Sequence, residues 1–140
     1  TPGLLIVVLG AGGDRDAGKR AAMGAAAARH ADLVVVTDDN PRSEDPAVIR
    51  AAVLAGVHRV DPASGRDSGA GRAADIAEAV RVAREQDRPH EATVVVLGKG
   101  HERGQEIAGV VHAFDDREAL AAALRGIEYR PGDGSAGVPS

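Results

Sequence analysis

The 140-residue chain contains no cysteine and no tryptophan, and its only phenylalanine and tyrosine are Phe114 and Tyr129. Without cysteine there is no disulfide, no thiolate nucleophile and no cysteine-based zinc site. With so few rings the chain lacks the stacking platforms that hold single-stranded nucleic acid. Basic excess is missing too: 17 Lys and Arg against 21 Asp and Glu give a net charge of -4, so there is no electrostatic footprint for a phosphate backbone. No run approaches the roughly 20 apolar residues that cross a bilayer. The apolar stretch 4–9 has no basic region ahead of it, unlike a signal peptide. That stretch starts almost at residue one, which suggests a domain of a larger protein.

What is present is a globular chain with a hydrophobic share of 44%, nearly all of it Ala, Val, Leu and Ile. Its length fits a single domain with a proper core. The runs 4–9, 33–36 and 93–97 are β-branched or leucine-rich and uninterrupted by polar residues, as in strands buried on both faces of a parallel sheet. Helical stretches separate them. Residues 18–31 are alanine-rich. Asp45-Pro46 reads as an N-cap and first-turn proline, followed by Val48, Ile49, Ala52 and Val53 on one face. Residues 70–86 place Ile76, Ala77, Val80 and Ala83 at helical spacing. This alternation is the α/β signature.

Shorter signals complete the reading. His58-Arg59-Val60 is compatible with a short strand feeding a Gly/Ser-rich, mobile loop over 62–71. Gly109 between two apolar pieces in 105–114 predicts a hairpin at the sheet edge. Asp115-Asp116-Arg117-Glu118 has the form of a capping box, with Phe114 and Ala119 at the staple positions, and the last helix should end at Gly126. The expected division is a folded domain over 1–127 and a disordered tail over 128–140.

Three polar turns follow the three strong strands, at the end where open α/β sheets hold ligands. The first, Gly10 through Arg20, nearly matches two phosphate motifs. As a P-loop it has GxxxxGK from Gly13 to Lys19, but Arg20 occupies the place of the hydroxyl that ligates Mg²⁺. As a dinucleotide fingerprint it needs a third glycine where Arg15 stands. Its charges Asp14, Arg15, Asp16, Lys19 and Arg20 form either a solvated turn or an anion clamp. The second turn, Asp38-Asp39-Asn40-Pro41-Arg42, is stiffened by Pro41. Arg42 can hold a carboxylate bidentately while Asp39 and Asn40 accept from an ammonium; an Asx turn with no ligand is the plain alternative. The third, Gly98-Lys99-Gly100-His101-Glu102, is no zincin motif, because Gln105 stands where the second histidine belongs. Glu102 is its candidate ammonium partner. Together the turns describe a cage for a small zwitterion, with no metal site and no catalytic side chain of their own.

The motifs Gly-Ala-Gly-Gly-Asp-Arg-Asp, Thr-Asp-Asp-Asn-Pro-Arg, Gly-Lys-Gly-His-Glu and Phe-Asp-Asp-Arg-Glu occur in an order that resembles the C-terminal domain of the Mur ligases. Among these it is similar to the branch that adds meso-diaminopimelate, and the resemblance covers roughly residues 4–126. It implies a Rossmann-like, mostly parallel sheet flanked by helices, with an antiparallel edge hairpin. It further implies a cytoplasmic bacterial enzyme of peptidoglycan synthesis. ATP with Mg²⁺ would activate the carboxylate of a UDP-N-acetylmuramoyl dipeptide, and the amine of diaminopimelate would attack the acyl phosphate. By position, Arg15 matches the arginine that binds a diaminopimelate carboxylate. Asp39, Asn40, Pro41 and Arg42 match the recognition motif, and Gly98 and Glu102 the residues at the distal amino-acid end. Ala17 stands where lysine is frequent in the family and Ala21 where proline is common. ATP and Mg²⁺ would be bound mainly by domains this chain does not contain, leaving it inactive alone. Two other classes fit the residues without the resemblance: a stand-alone amino-acid or anion-binding module, and a degenerate nucleotide-binding oxidoreductase domain.

Overall fold

A computed structural model describes residues 3–13, 17–86, 88, 91–98 and 104–130. In chain order the elements are β1 (Leu5–Leu9), α1 (Lys19–His30), β2 (Leu33–Val36), α2 (Pro46–Val60), β3 (Gly65–Arg66), α3 (Arg72–Arg84), β4 (Thr93–Leu97), β5 (Gly104–Ile107), β6 (Val110–Ala113) and α4 (Asp116–Arg125). The first four strands form a parallel sheet in the order β3-β2-β1-β4. Val7 of β1 is paired with Val34 on one side and Val95 on the other.

The two-residue period of β1 divides the core. Val7 and Leu9 face α1 and α2, packing with Ala28, Ile49, Val53 and Val57. Ile6 and Val8 face α3 and α4, packing with Ile76, Ala79, Ala83, Phe114 and Ala119. A strand buried on both faces needs apolar side chains at every position, which is why no polar residue interrupts β1. The small residues of α1 let α2 approach closely: a Cβ on Gly56 would lie 1.8 Å from the Ala21 carbonyl oxygen.

The ends of α2 and α4 follow from their caps. Asp45 accepts from the Ala47 amide at 2.9 Å, with Pro46 opening α2. Asp115 accepts from the Arg117 amide at 2.9 Å. The Asp115 amide, which a capping box would satisfy with Glu118, donates instead to Tyr129 Oη at 3.0 Å. Tyr129 also meets Phe114 edge-on, with ring centroids 5.1 Å apart. Through its aromatic partner and its hydrogen bond, the single tyrosine packs against the start of α4. Residues 131–140 lie outside those described.

Three local expectations are corrected. His58, Arg59 and Val60 are the last turn of α2, closed by the Asp61 amide on the Val57 carbonyl at 2.9 Å. A histidine and an arginine at that end also suit the helix dipole. The strand lies inside the 62–71 segment as β3, held to β2, and the loop is tied down by Arg50 to Asp67 (2.8 Å) and Ser68 to Asp75 (2.7 Å). Val48 is 57% exposed, and Ala77 is exposed as well. The buried faces run instead through Ile49, Val53, Gly56 and Val57, and through Ile76, Ala79, Val80 and Ala83.

The hairpin forms as a two-stranded antiparallel sheet of its own. Its turn has φ of 52° at Ala108 and 79° at Gly109, the pair of positive values that a type I′ turn requires. β6 is exposed along its whole length.

Candidate functional site

β2 and β4 flank β1 rather than touching each other, so the three polar turns leave the carboxyl ends of three adjacent strands. The chain moves outward from β1 to β2 and β3, then returns to the other side of β1 as β4. Such a reversal of strand order opens a crevice at the carboxyl edge of a sheet.

The turns after β1 and β2 are locked together. The Gly13 amide donates to the Asn40 carbonyl at 2.7 Å, and Arg42 Nη1 donates to the Gly13 carbonyl at 2.7 Å and more weakly to the Asn40 carbonyl at 3.4 Å. Pro41 between them is fully buried. Arg42 has φ of +55°, a left-handed conformation that costs a non-glycine residue about 1–2 kcal/mol. Two backbone hydrogen bonds to the hairpin hold it there: the Arg42 amide donates to the Glu106 carbonyl (2.7 Å), and the Ala108 amide donates to the Arg42 carbonyl (2.6 Å). The same strand supplies two more ties. The Glu106 amide donates to Asn40 Oδ1 at 2.7 Å, and Gln105 Nε2 donates to the Asp39 carbonyl at 2.8 Å. Asn40 is buried, and its side-chain oxygen is thus used by the protein.

The Arg42 side chain is anchored through Nη1 alone. Among the described residues Nε and Nη2 have no hydrogen-bond partner, and the side chain is only partly buried. That leaves the Nε–Nη2 edge, a two-donor fork matched to a carboxylate.

Gly98, at the end of β4, reaches the same place. Its φ of +119° is a glycine conformation, and a Cβ there would sit 3.1 Å from the Gly10 carbonyl oxygen and 3.4 Å from Asp39 Oδ2. Gly98 thus lies against Gly10 of the β1 turn and the Asp39 carboxylate.

Behind these turns lies a buried polar network. Arg72, fully buried, donates through Nε and Nη2 to the two carboxylate oxygens of Asp116, each at 2.7 Å. Its Nη1 reaches the Asp38 carbonyl (2.8 Å), and Nη2 also reaches the Leu97 carbonyl (3.0 Å). One guanidinium therefore fixes the spacing between the ends of β2 and β4. Arg50 bridges Asp38 (2.7 Å) and Asp67 (2.8 Å). Asp75 accepts from the Thr37 hydroxyl at 2.5 Å and from Ser68. Burial raises its pKa above the usual carboxylate value, with nearby Asp38 adding to the effect, while the two hydroxyls and Arg50 oppose it. Arg20, a candidate for an anion clamp, is instead held bidentately by Glu44 (2.7 and 3.1 Å) and donates to the Gly12 carbonyl.

The structure thus brings together Asp39, Asn40, Pro41, Arg42 and Gly98 at one rim. Arg15 and Glu102 lie outside the described residues, as do Asp14, Asp16, Lys99, Gly100 and His101. Arg72 and Gln105 were not singled out from the sequence. For Arg72 a signal exists: it is the first residue of α3, where the helix dipole disfavours a cation. Gln105 carries no such mark.

The chain as a whole is similar to known proteins. The family described as "Mur ligase, glutamate ligase domain" matches residues 1–100. Over 123 residues the chain is 57% identical to the UDP-N-acetylmuramoyl-L-alanyl-D-glutamate–2,6-diaminopimelate ligase of Corynebacterium efficiens, covering 88% of this chain and 23% of that protein. It is 52% identical over 128 residues to the ligase of the same name from Caulobacter vibrioides, covering 91% and 24%. A solved structure of a ligase of that name superposes with a TM-score of 0.73 at 39% identity, covering 88% of this chain and 24% of the other. The chain therefore spans about a quarter of the length of the curated relatives it matches (23% and 24%). With its parallel α/β sheet, the chain belongs to the Mur ligase family, matching its glutamate ligase domain.

Proposed function

We propose that this chain is the amino-acid-binding domain of a cytoplasmic, ATP-dependent ligase of peptidoglycan synthesis. That ligase would add meso-diaminopimelate to a UDP-N-acetylmuramoyl dipeptide. The observation that carries the reading is the Nε–Nη2 edge of Arg42, left without a partner among the described residues while Nη1 is pinned to the Gly13 carbonyl. A carboxylate seated on that fork gains charge-assisted hydrogen bonds from a cation already held in place. Asp39, beside the Gly98 backbone, supplies a negative charge for an ammonium group on the same ligand. In this reading Asn40 and Pro41 shape the turn, and Arg15 and Glu102 complete the cage as the family motifs imply. The names of the relatives support diaminopimelate as the guest.

The described residues do not build a P-loop site for ATP and Mg²⁺. Arg20 stands where the Mg²⁺-ligating hydroxyl belongs, and its guanidinium is occupied by Glu44 and the Gly12 carbonyl. The nucleotide chemistry is accordingly assigned to the rest of the ligase. What this chain contributes is binding and orientation of the attacking amino acid.

Calorimetry of the 140-residue chain against meso-diaminopimelate, L-lysine and NAD tests the reading. Preference for diaminopimelate supports it, whereas binding of NAD alone points to the oxidoreductase class. Supplied with ATP, Mg²⁺, the nucleotide dipeptide and diaminopimelate, the chain should release no phosphate by itself. Steady release would contradict the division of labour.

A further inference from the structure

The Asp39–Arg42 turn is contiguous in sequence, yet four of its hydrogen bonds run to a hairpin more than sixty residues away. Among the described residues β5 pairs with β6 and makes one isolated bridge, Ile107 to Arg42, and β6 is exposed throughout. Hydrogen bonds among the described residues tie this hairpin to three residues of the turn: Asp39, Asn40 and Arg42. Gln105 is the one side chain of the hairpin in that set, and it is buried.

We propose that Gln105 is a positioning residue for the amino-acid site, holding the turn and the hairpin in the register that keeps Arg42 in its left-handed conformation. The inference deepens the ligase reading and rests on it. The physical chain is short. Gln105 Nε2 fixes the Asp39 carbonyl, which sets the adjacent Asn40 side chain against the Glu106 amide. Register at that point places the Glu106 carbonyl and the Ala108 amide opposite the two backbone groups of Arg42. Those bonds stabilise a φ that an arginine would otherwise leave. Once Arg42 relaxes toward ordinary backbone, its guanidinium loses the Gly13 carbonyl and the fork is no longer pre-organised.

Two near-isosteric variants test this. Gln105→Met removes the donor, and Gln105→Glu sets a carboxylate against the Asp39 carbonyl. In the 140-residue chain, amide hydrogen exchange at Arg42 and Glu106 should accelerate about tenfold or more in both variants, the loss of roughly one buried hydrogen bond. Exchange at Thr37, whose amide is bonded to the Leu9 carbonyl in the main sheet, should not change. In the full-length ligase carrying this domain, KM for meso-diaminopimelate should rise about tenfold with kcat and the KM for ATP unmoved. Unaltered exchange at both amides overturns the proposal. So does faster exchange with an unchanged amino-acid KM in an enzyme whose Arg42→Ala variant does lose affinity, because the brace would then not reach the site. If Arg42→Ala also leaves that KM alone, the amino-acid reading has failed and Gln105 falls with it. The Arg42→Ala KM tells the two failures apart.

Discussion

Arg72 and Asp116 form a bidentate ion pair with both nitrogen–oxygen distances at 2.7 Å, although 44 residues separate them. The pair sits behind the site and ties the first turn of α4 to the ends of β2 and β4. A buried ion pair adds little against an apolar replacement of both partners, but breaking one partner strands the other charge. Arg72→Met should therefore cost about 3–5 kcal/mol in urea unfolding of the chain. The double variant Arg72→Met with Asp116→Leu should recover a substantial part of that loss. A single variant within about 1 kcal/mol of the parent would show that the clamp is not structural.

Asp75 gives stability a pH dependence of definite sign. Its folded pKa is raised by burial above 3.8. Between that value and the folded one, the native state binds more protons than the unfolded chain, so stability falls as pH rises through this window. Asp75→Asn has no proton to lose. Its melting temperature relative to the parent should improve on going from pH 4 to pH 7. A difference that is flat or moves the other way would contradict the assignment.

The two aspartate caps should behave as ordinary N-caps. Replacing Asp45 or Asp115 by alanine is expected to cost about 1 kcal/mol each at neutral pH. For Asp115 burial works against ionisation, but the amides of Arg117 and Glu118 and the charge of Arg117 outweigh it and lower the pKa. Its contribution is present above the unfolded value of 3.8 and is lost as pH falls through the lower folded value. The Asp115→Ala deficit should accordingly vanish in acid, which chemical denaturation at several pH values would reveal.

How far the sequence carried this picture depends on whether each signal is local. β1, β2 and β4 are written in uninterrupted apolar runs, and Asp45-Pro46 and Gly126 mark helix ends within a few residues. The turn 39–42 was legible because Pro41 and the acidic neighbours announce a stiff polar loop. Less legible was anything set by contacts distant along the chain. Arg72 finds Asp116 and two strand ends, and Gln105 finds Asp39, only after the sheet has assembled. His58 to Val60 resemble a strand in isolation, yet the helix continues because the Asp61 amide closes its last turn. Arg42 reads as a free cation, whereas one of its nitrogens is already committed to Gly13.

The most direct measurement compares meso-diaminopimelate with L-lysine as amino-acid substrate for the full-length ligase and its Arg42→Ala variant. Lysine has no second carboxylate to place on the Arg42 fork. Loss of a charge-assisted bidentate contact predicts that the KM for diaminopimelate rises about 30-fold or more, with the KM for ATP unchanged and the preference over lysine largely gone. An amino-acid KM and a preference that both survive the substitution would contradict the account.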